Sequence, residues 1–570
     1  MFFVPNYYSK SISNNGAKIL FFEDTHLLSL SNLLFRLILN KKKAFFHFCI
    51  TFIPLLLWGQ APIWLHNKAV VEPSHIAVST EIITIGGSFQ QELDGQAAKG
   101  SSDLFFYQYN AQQQLLGRYY MGGQQQEQLS ALVALPNGGW YGVGSFGDSL
   151  FFGEQAAVLY QNGTGVFIGK WQAGGRLDWV RQLPHTGFVQ VLDGIKDHTG
   201  ALYLTGHFQD TLFLDDWPPL LAPCATAPFL LKINPQGKIV WGQTSANCQE
   251  AVGKSLATDN KGRLYWAGEF KGNFELQAPF KRANNVYRDL FLASIDAHTG
   301  QLLTQKQFSG VYDNECTHLE YFDQRLYWAG RFSGYLQLDS CWLRTGFKTF
   351  GNAFVAALDT NLHSQWAVQS TAFADAYSTG MAVDSQQVLL VGYYLDSLEW
   401  GKFRAGSQHK AEFFEVQLNH QGQVTTLTTG QGRGFDVARG VALDAWSHKW
   451  LIGGFQDSIC IANRHKGSAQ GSSDGFIWCQ KSSITTNNNR TKPVLIFPTI
   501  RISPQPAQKN CVITVVDGGA FERWELYNTS GQLVQKGNST IIPTQNLTQK
   551  VYSLHVITSQ GLGIEKLIVK

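Results

Sequence analysis

Leu264–Phe270 reads LYWAGEF and Leu326–Phe332 reads LYWAGRF, two near-copies 62 residues apart. The same strand-like segment, ending in Gly-x-aromatic, recurs as Ile82–Phe89 (IITIGGSF), Trp140–Phe146 (WYGVGSF), Leu202–Phe208 (LYLTGHF), Val388–Tyr394 (VLLVGYY) and Trp450–Phe455 (WLIGGF). The motif glycines are Gly87, Gly144, Gly206, Gly268, Gly330, Gly392 and Gly453, at intervals of 57, 62, 62, 62, 62 and 61 residues. A fixed period of this length is the signature of a repeat architecture.

Three further segments keep the same period. An aromatic opens a second alternating strand at Phe105, Phe167, Phe229, Phe291, Phe354, Phe414 and Phe476, followed by a turn rich in Asp, Asn and Gly, as in DLFLASIDAHTG. Ahead of the glycine, the segments GIKD, LATD, MAVD and VALD end at Asp197, Asp259, Asp384 and Asp444, each opening a turn. A fourth segment carries Trp179, Trp241 and Trp366. Period-2 apolar positions bounded by such turns read as strands. Four short strands repeated seven times, with no helical period, predict an all-β protein built on a seven-bladed β-propeller. An open β-solenoid would carry the same repeat but leave sheet edges unprotected. The last copy ends near Gln480 without a Trp strand, while Ile63-Trp64-Leu65 precedes the first. That segment is therefore expected to complete the seventh blade and close the ring.

Composition agrees with a folded, turn-rich chain. Of 570 residues 15% are charged, 13% are aromatic and 56 are glycine, which excludes disorder and a long coiled coil. The net charge of +3 is concentrated at the front: the first 61 residues hold six basic and two acidic groups, leaving the remainder at −1. Such a chain has no basic field to condense on phosphates, so no nucleic-acid partner is expected.

The repeat resembles the β-propeller repeat family common in exported bacterial proteins, with its "A-V-D", "G-N-V-Y-V-T-G-x-F" and "D-x-F-V-A-K-L-D" pattern. The likeness spans residues 62–480 and is best in copies three to five; Tyr394 stands where the pattern has Phe. It implies a fold and an envelope or extracellular setting, and no shared reaction.

Both ends point to export. Lys41-Lys42-Lys43 precedes the apolar stretch AFFHFCITFIPLLLW (44–58) and then Gly59-Gln60-Ala61, the layout of a secretory signal. A transmembrane anchor needs about 20 apolar residues, so no membrane span is expected in the mature chain. The 40-residue preface suggests a start downstream of Met1. At the other end a polar stretch, KSSITTNNNRTK (481–492), reads as a linker. Alternating segments follow, with a turn at Ser530-Gly531 and a basic last strand, Lys566 to Lys570, as in a compact β-sandwich. Pro504-Gln505-Pro506-Ala507 and Leu526-Tyr527-Asn528-Thr529-Ser530-Gly531-Gln532-Leu533-Val534 resemble the "P-N-P-A" and "I-Y-D-x-x-G-R-x-V" motifs of the type A sorting domain of the type IX secretion system of Bacteroidetes. The glycine that the family places before its tyrosine is absent at Val551-Tyr552. The resemblance implies an address read by the type IX machinery. The expected division is a preface and signal peptide over 1–61, the propeller over 62–480, a linker over 481–494 and the sorting β-sandwich over 495–570.

Export permits disulfides. Cys224/Cys248, Cys316/Cys341 and Cys460/Cys479 are close in sequence and are expected as local blade staples, with Cys511 left over and Cys49 lost with the signal. No metal or cofactor site is expected: there is no C-x-x-C, no H-E-x-x-H and no D-x-D-x-D-G run. The turn aspartates read as solvated turn residues. Gly471-Ser472-Ser473-Asp474-Gly475 matches G-x-S-x-G, but that motif needs a strand-to-helix turn, and here GSSDGF repeats GSSDLF of Gly100–Phe105. Gly430-Gln431-Gly432-Arg433-Gly434 lacks the spacing of a dinucleotide site. Trp266 and Trp328 occupy strand positions held by leucine in other copies, and are expected in blade packing.

No catalytic residue is designated. The expectation is a secreted or cell-surface binding or scaffold protein whose propeller loops engage a glycan or a protein. The alternative is a polysaccharide-degrading enzyme with carboxylates converging at the channel. A cluster of Asp, Glu, Tyr or Arg in the channel mouth, with breaks in the repeat there, would favour the enzyme; the repeat is largely unbroken, which favours binding.

Overall fold

The computed structural model describes residues 61–152, 155–276, 286–345, 350–462, 465–481, 499–504, 506–517, 520–528, 533–548, 551–558 and 561–569. The signal segment with Cys49, nearly all of the linker, Gln505 and the Ser530-Gly531 turn lie outside them. Two compact units meet at Ser482/Ser483. Among the described residues the regular structure is strand alone, and no helix is long and apolar enough to cross a membrane. The chain is all-β, and its first unit is propeller-like.

The third repeat shows how the sequence makes its sheet. Val189–Lys196, Leu202–Phe208, Ala227–Ile233 and Ile239–Thr244 pair antiparallel in chain order. The two middle strands are buried almost throughout, because neighbouring repeats cover both of their faces. The fourth repeat has the same order over Asn247–Thr258, Arg263–Glu275, Asp289–Asp296 and Leu302–Phe308. Elsewhere the pairs Met121↔Phe152, Ser370↔Trp400 and Gly430↔Ile461 join successive repeats into larger sheets.

The recurring glycine has a steric cause. Each first strand carries a β-bulge, whose extra residue is Ser74, Ser130, Leu192, Lys254, Thr317, Thr379 or Arg439. Just before the bulge its backbone presses on the motif glycine of the second strand. A β-carbon at Gly206 would lie 1.9 Å from the Gln190 carbonyl oxygen, and one at Gly392 1.8 Å from that of Tyr377. The other five motif glycines meet an equivalent carbonyl at 2.1–2.2 Å. No side chain fits there.

The first strands touch in a cycle: Val71–Val78, Gln128–Ala134, Val189–Lys196, Asn247–Thr258, Asn314–Phe322, Ala376–Val383, Asp436–Leu443 and back to Val71–Val78. Ile63–Leu65 pairs with Asp474–Gln480, in the register Ile63↔Ile477, Trp64↔Phe476 and Leu65↔Gly475, so the amino-terminal segment supplies the outer strand of the last repeat. The GSSDGF loop latches it. Ser472 and Ser473 donate their backbone N–H groups to Ala69 O, and the Asp474 carboxylate accepts from Asn67 N and Gln470 N. Asp103 of GSSDLF accepts likewise from Lys99 N and Gly100 N. The G-x-S-x-G match is thus a turn.

Tryptophans of the fourth strands bind one repeat to the next. Trp179 donates its indole N–H to Pro235 O and Trp366 to His420 O, both in turns of the following repeat. Trp266 and Trp328 are buried, as expected from their strand positions. The turn aspartates are less solvated than expected: Asp197 and Asp444 are buried, because their carboxylates close the turn. Asp197 accepts from Thr199 N at 2.8 Å and Ala201 N at 3.1 Å; Asp444 accepts from Trp446 N and His448 N at 2.9 Å.

The cysteine expectation needs correcting. Cys224 and Cys248 form a disulfide, but Cys316, Cys341, Cys460, Cys479 and Cys511 are free. Cys316 is buried in a first strand beneath Trp328, whose indole N–H donates to its sulfur at 3.2 Å, whereas Cys341 sits on a separate outer hairpin, Tyr335–Leu338 with Cys341–Arg344. Cys479 lies in the ladder opposite Trp450, while Cys460 belongs to a different sheet. For these two pairs, nearness in sequence did not bring a disulfide.

In the second unit, Thr499–Ser503, Asn510–Asp517 and Ile541–Pro543 form a three-stranded antiparallel sheet. Leu533–Gly537, Phe521–Tyr527, Val551–Thr558 and Gly561–Ile568 form a four-stranded one. Cys511, Ile513 and Ile542 of the first share one core with Trp524, Leu526, Leu554 and Leu567 of the second.

Candidate functional site

The bulges aim their extra residues inward, and the seven first strands surround a cavity of about 510 Å³. Its wall carries His75, Asp193, Lys254, Ser255, His318, Glu320 and Arg439 among aliphatic side chains. Several of these polar groups stitch neighbouring strands together. Asp193 accepts from Ser255 Oγ at 2.9 Å and Leu256 N at 2.8 Å, and Ser255 Oγ accepts from Leu319 N at 3.0 Å. Thr379 Oγ1 donates to Ala438 O at 2.6 Å.

Two basic side chains, Lys254 and Arg439, share this wall with groups that burial shifts towards their neutral forms. Burial raises the Asp193 carboxyl and pushes Glu320 up to about 8; it brings His75 and His318 down to about 4. Glycoside cleavage needs two carboxyl groups whose environments push their pKa values apart, one acid and one ionised. Here both carboxyl groups are pushed the same way, and Asp193 is already engaged by backbone and hydroxyl donors.

A set of ion pairs draws on the variable position of Gly-x-aromatic, which is Ser88, Ser145, His207, Glu269, Arg331, Tyr393 and Gly454 in the successive repeats. Glu269 meets Lys254 at 3.4 Å and Arg288 at 3.5 Å, and Arg288 also binds Glu250 at 2.8 Å. Arg331 pairs with Asp375 and with Glu315 at 3.3 Å, its guanidinium lying 4.4 Å over the Tyr377 ring, which stacks on Tyr393 at 4.9 Å. Arg439 pairs with Glu72 at 3.2 Å. Glu, Tyr and Arg side chains are thus gathered here, and each of these carboxylates faces a cation. Although burial works against it, Glu250 is held below its ordinary pKa by Arg288 and Lys271. Glu269 is raised by burial, and its Oε2 has no hydrogen-bond partner.

The two ends of the array differ. Turns between first and second strands, and between third and fourth, are short, and most are closed by Asp or Asn; Asn234, for example, accepts from Gln236 N and Lys238 N. Connections from second to third strands, and from each repeat to the next, lie at the opposite end; the long ones are those from second to third strands in the first, third, fourth, fifth and seventh repeats. Of the exposed aromatic side chains in the first unit, all but Trp446 lie on connections of this end among the described residues. Phe188, Trp217, Trp342, Phe373 and Phe435 are examples. A second cleft opens here, of about 270 Å³, between the second and third repeats.

No protein-family model matches the chain, and no curated protein does. Among solved structures it is similar to Kuenenia stuttgartiensis hydrazine synthase at 10% identity and a TM-score of 0.37, over 68% of this chain and 94% of that one. It is also similar to puromycin hydrolase (10%, TM-score 0.39, 85% of this chain and 58% of that one) and to the Neurospora crassa Pan2 WD40 domain (8%, 0.27, 76% and 99%). None of these likenesses bears on what the chain does.

Proposed function

We propose that this chain is a secreted or cell-surface binding or scaffold protein, a seven-bladed β-propeller that holds a glycan or protein ligand against the loops of one face. The carboxy-terminal unit is a β-sandwich that serves as the address for the type IX secretion machinery, and the amino-terminal apolar segment is the signal peptide. The observation that carries the binding reading is the gathering of exposed aromatic side chains on one end of the array, against tight Asx-closed turns at the other. The blade count is supported by the cycle of first strands and the outer strand supplied by Ile63–Leu65. The export reading is supported by the sequence resemblance.

A second reading, polysaccharide cleavage, is favoured by one observation: Glu269 is buried, its carboxyl is raised by burial, and its Oε2 has no hydrogen-bond partner.

Thermal-shift measurement of the exported protein against soluble polysaccharides tests the binding reading. A ligand at 100 times its Kd adds about 2.7 kcal/mol to stability, so one glycan class is expected to give a saturable shift. No shift with any glycan and no protein captured on the cell surface would overturn it. For the address, deletion of residues 495–570 is expected to stop surface display; unchanged display would contradict the role.

A further inference from the structure

The cleft between the second and third repeats has a chemistry of its own. Its polar lining among the described residues is three glutamines, Gln126, Gln128 and Gln190, with Ser130, Ser145 and Thr164, and the exposed ring of Phe188. None of these lining residues is charged, in contrast to the ion pairs of Glu269 and Arg331. The amides of Gln126, Gln128 and Gln190 have no hydrogen-bond partner among the described residues, and Gln126 and Gln128 are exposed. Each primary amide offers two donors and a carbonyl acceptor. Phe188 is 46% exposed, and its ring rests against that of His207 at 5.6 Å.

We infer that this cleft is the seat of an uncharged sugar residue of a polysaccharide, the proposal resting on the binding function given above. A sugar ring carries a dense set of hydroxyls, each both donor and acceptor, and a C–H face that packs on an aromatic ring. Neutral amides and hydroxyls pair with such hydroxyls without a counter-ion. An acidic sugar would surrender the hydration of its carboxylate or sulfate with no cation in the lining to replace it, which is unfavourable. The cleft is at the small end of ligand pockets, which run from about 300 Å³ upward, and suits a single ring of a chain that continues into solvent.

The test is titration calorimetry on the full exported chain with hexasaccharides of glucose, mannose and xylose, and with an acidic oligogalacturonate. One uncharged hexasaccharide is expected to bind. Phe188→Ala and Gln190→Leu are expected to weaken it about tenfold or more, while Phe373→Ala, on the same end but outside the cleft, leaves it unchanged. Equal melting temperatures among the variants would show that folding is intact. Uncharged binding that survives both cleft substitutions, or a preference for oligogalacturonate, overturns the cleft assignment and leaves the glycan-binding function standing. Absence of binding to every sugar overturns both.

Discussion

Trp64 lies directly opposite Phe476 in an antiparallel ladder, joining the start of the described chain to the end of the repeat array. Most contacts in a repeat array are between neighbours; this one links the two termini of the array and closes the cycle. Asp474 holds it, with no exposure to solvent, accepting from Asn67 N at 3.2 Å, Gln470 N at 2.9 Å and His66 Nδ1 at 2.6 Å.

Asp474→Ala strands two backbone donors beside the closing strand. Each buried group left unsatisfied costs about 1–3 kcal/mol, so the variant is expected to lower the melting temperature clearly, and deletion of residues 62–67 to lower it further. Unchanged thermal stability in the deletion would show that the strand does not close the array.

Gly206→Ala places a β-carbon on the Gln190 carbonyl oxygen, and the first strand must move for it to fit. The cost is expected to be about 1–3 kcal/mol, the range for overpacking. Gly406→Ala is the control: its β-carbon would meet nothing within 4 Å, and a change within about 0.5 kcal/mol is expected. Paired denaturant melts read the difference.

Asp436 is fully buried, has no hydrogen-bond partner for either oxygen, and is pushed up to about 8 by burial and then by the nearby Glu412 carboxylate. It is therefore protonated in the folded protein at neutral pH but ionised in the unfolded chain. The unfolded state binds fewer protons, so stability from this group falls as pH rises from about 4 to about 8 and then levels. Asp436→Asn is expected to flatten that fall, the gap from the parent protein widening towards pH 8. Parallel pH profiles of the two would contradict the assignment.

One disulfide and five free thiols are expected among the described cysteines. Alkylation of the folded protein is expected to label half-exposed Cys341 and Cys460 before buried Cys316 and Cys479, whose thiols burial pushes up to about 12. Peptide mapping under non-reducing conditions that recovers a Cys316–Cys341 bridge would contradict it.

The glycine period was legible because one backbone contact, first-strand carbonyl against second-strand Cα, recurs in every repeat and admits no other residue. The Asx turns were legible for the same reason, since Asp197 and Asp444 each close a turn within five residues. The ion pairs were not. Glu269 and Arg331 occupy the motif position that varies from repeat to repeat, held elsewhere by serine, histidine, tyrosine or glycine, so they looked like noise between two strong signals. Their variability was itself the available signal. The cleft was invisible because Gln128 and Gln190 come from different repeats, and only the packing of two sheets brings them together. Of the cysteine pairs, Cys224/Cys248 was legible, whereas Cys316/Cys341 and Cys460/Cys479 were not, because their members lie on different strands and sheets.

Binding of a glycan without cleavage is tested most directly by reducing-end release from the polysaccharide that gives the thermal shift, followed over days at stoichiometric protein. Saturable stabilisation with no new reducing ends is expected. Release that disappears in Glu269→Gln, with the thermal shift retained, would contradict that and make the Glu269 cluster an active site.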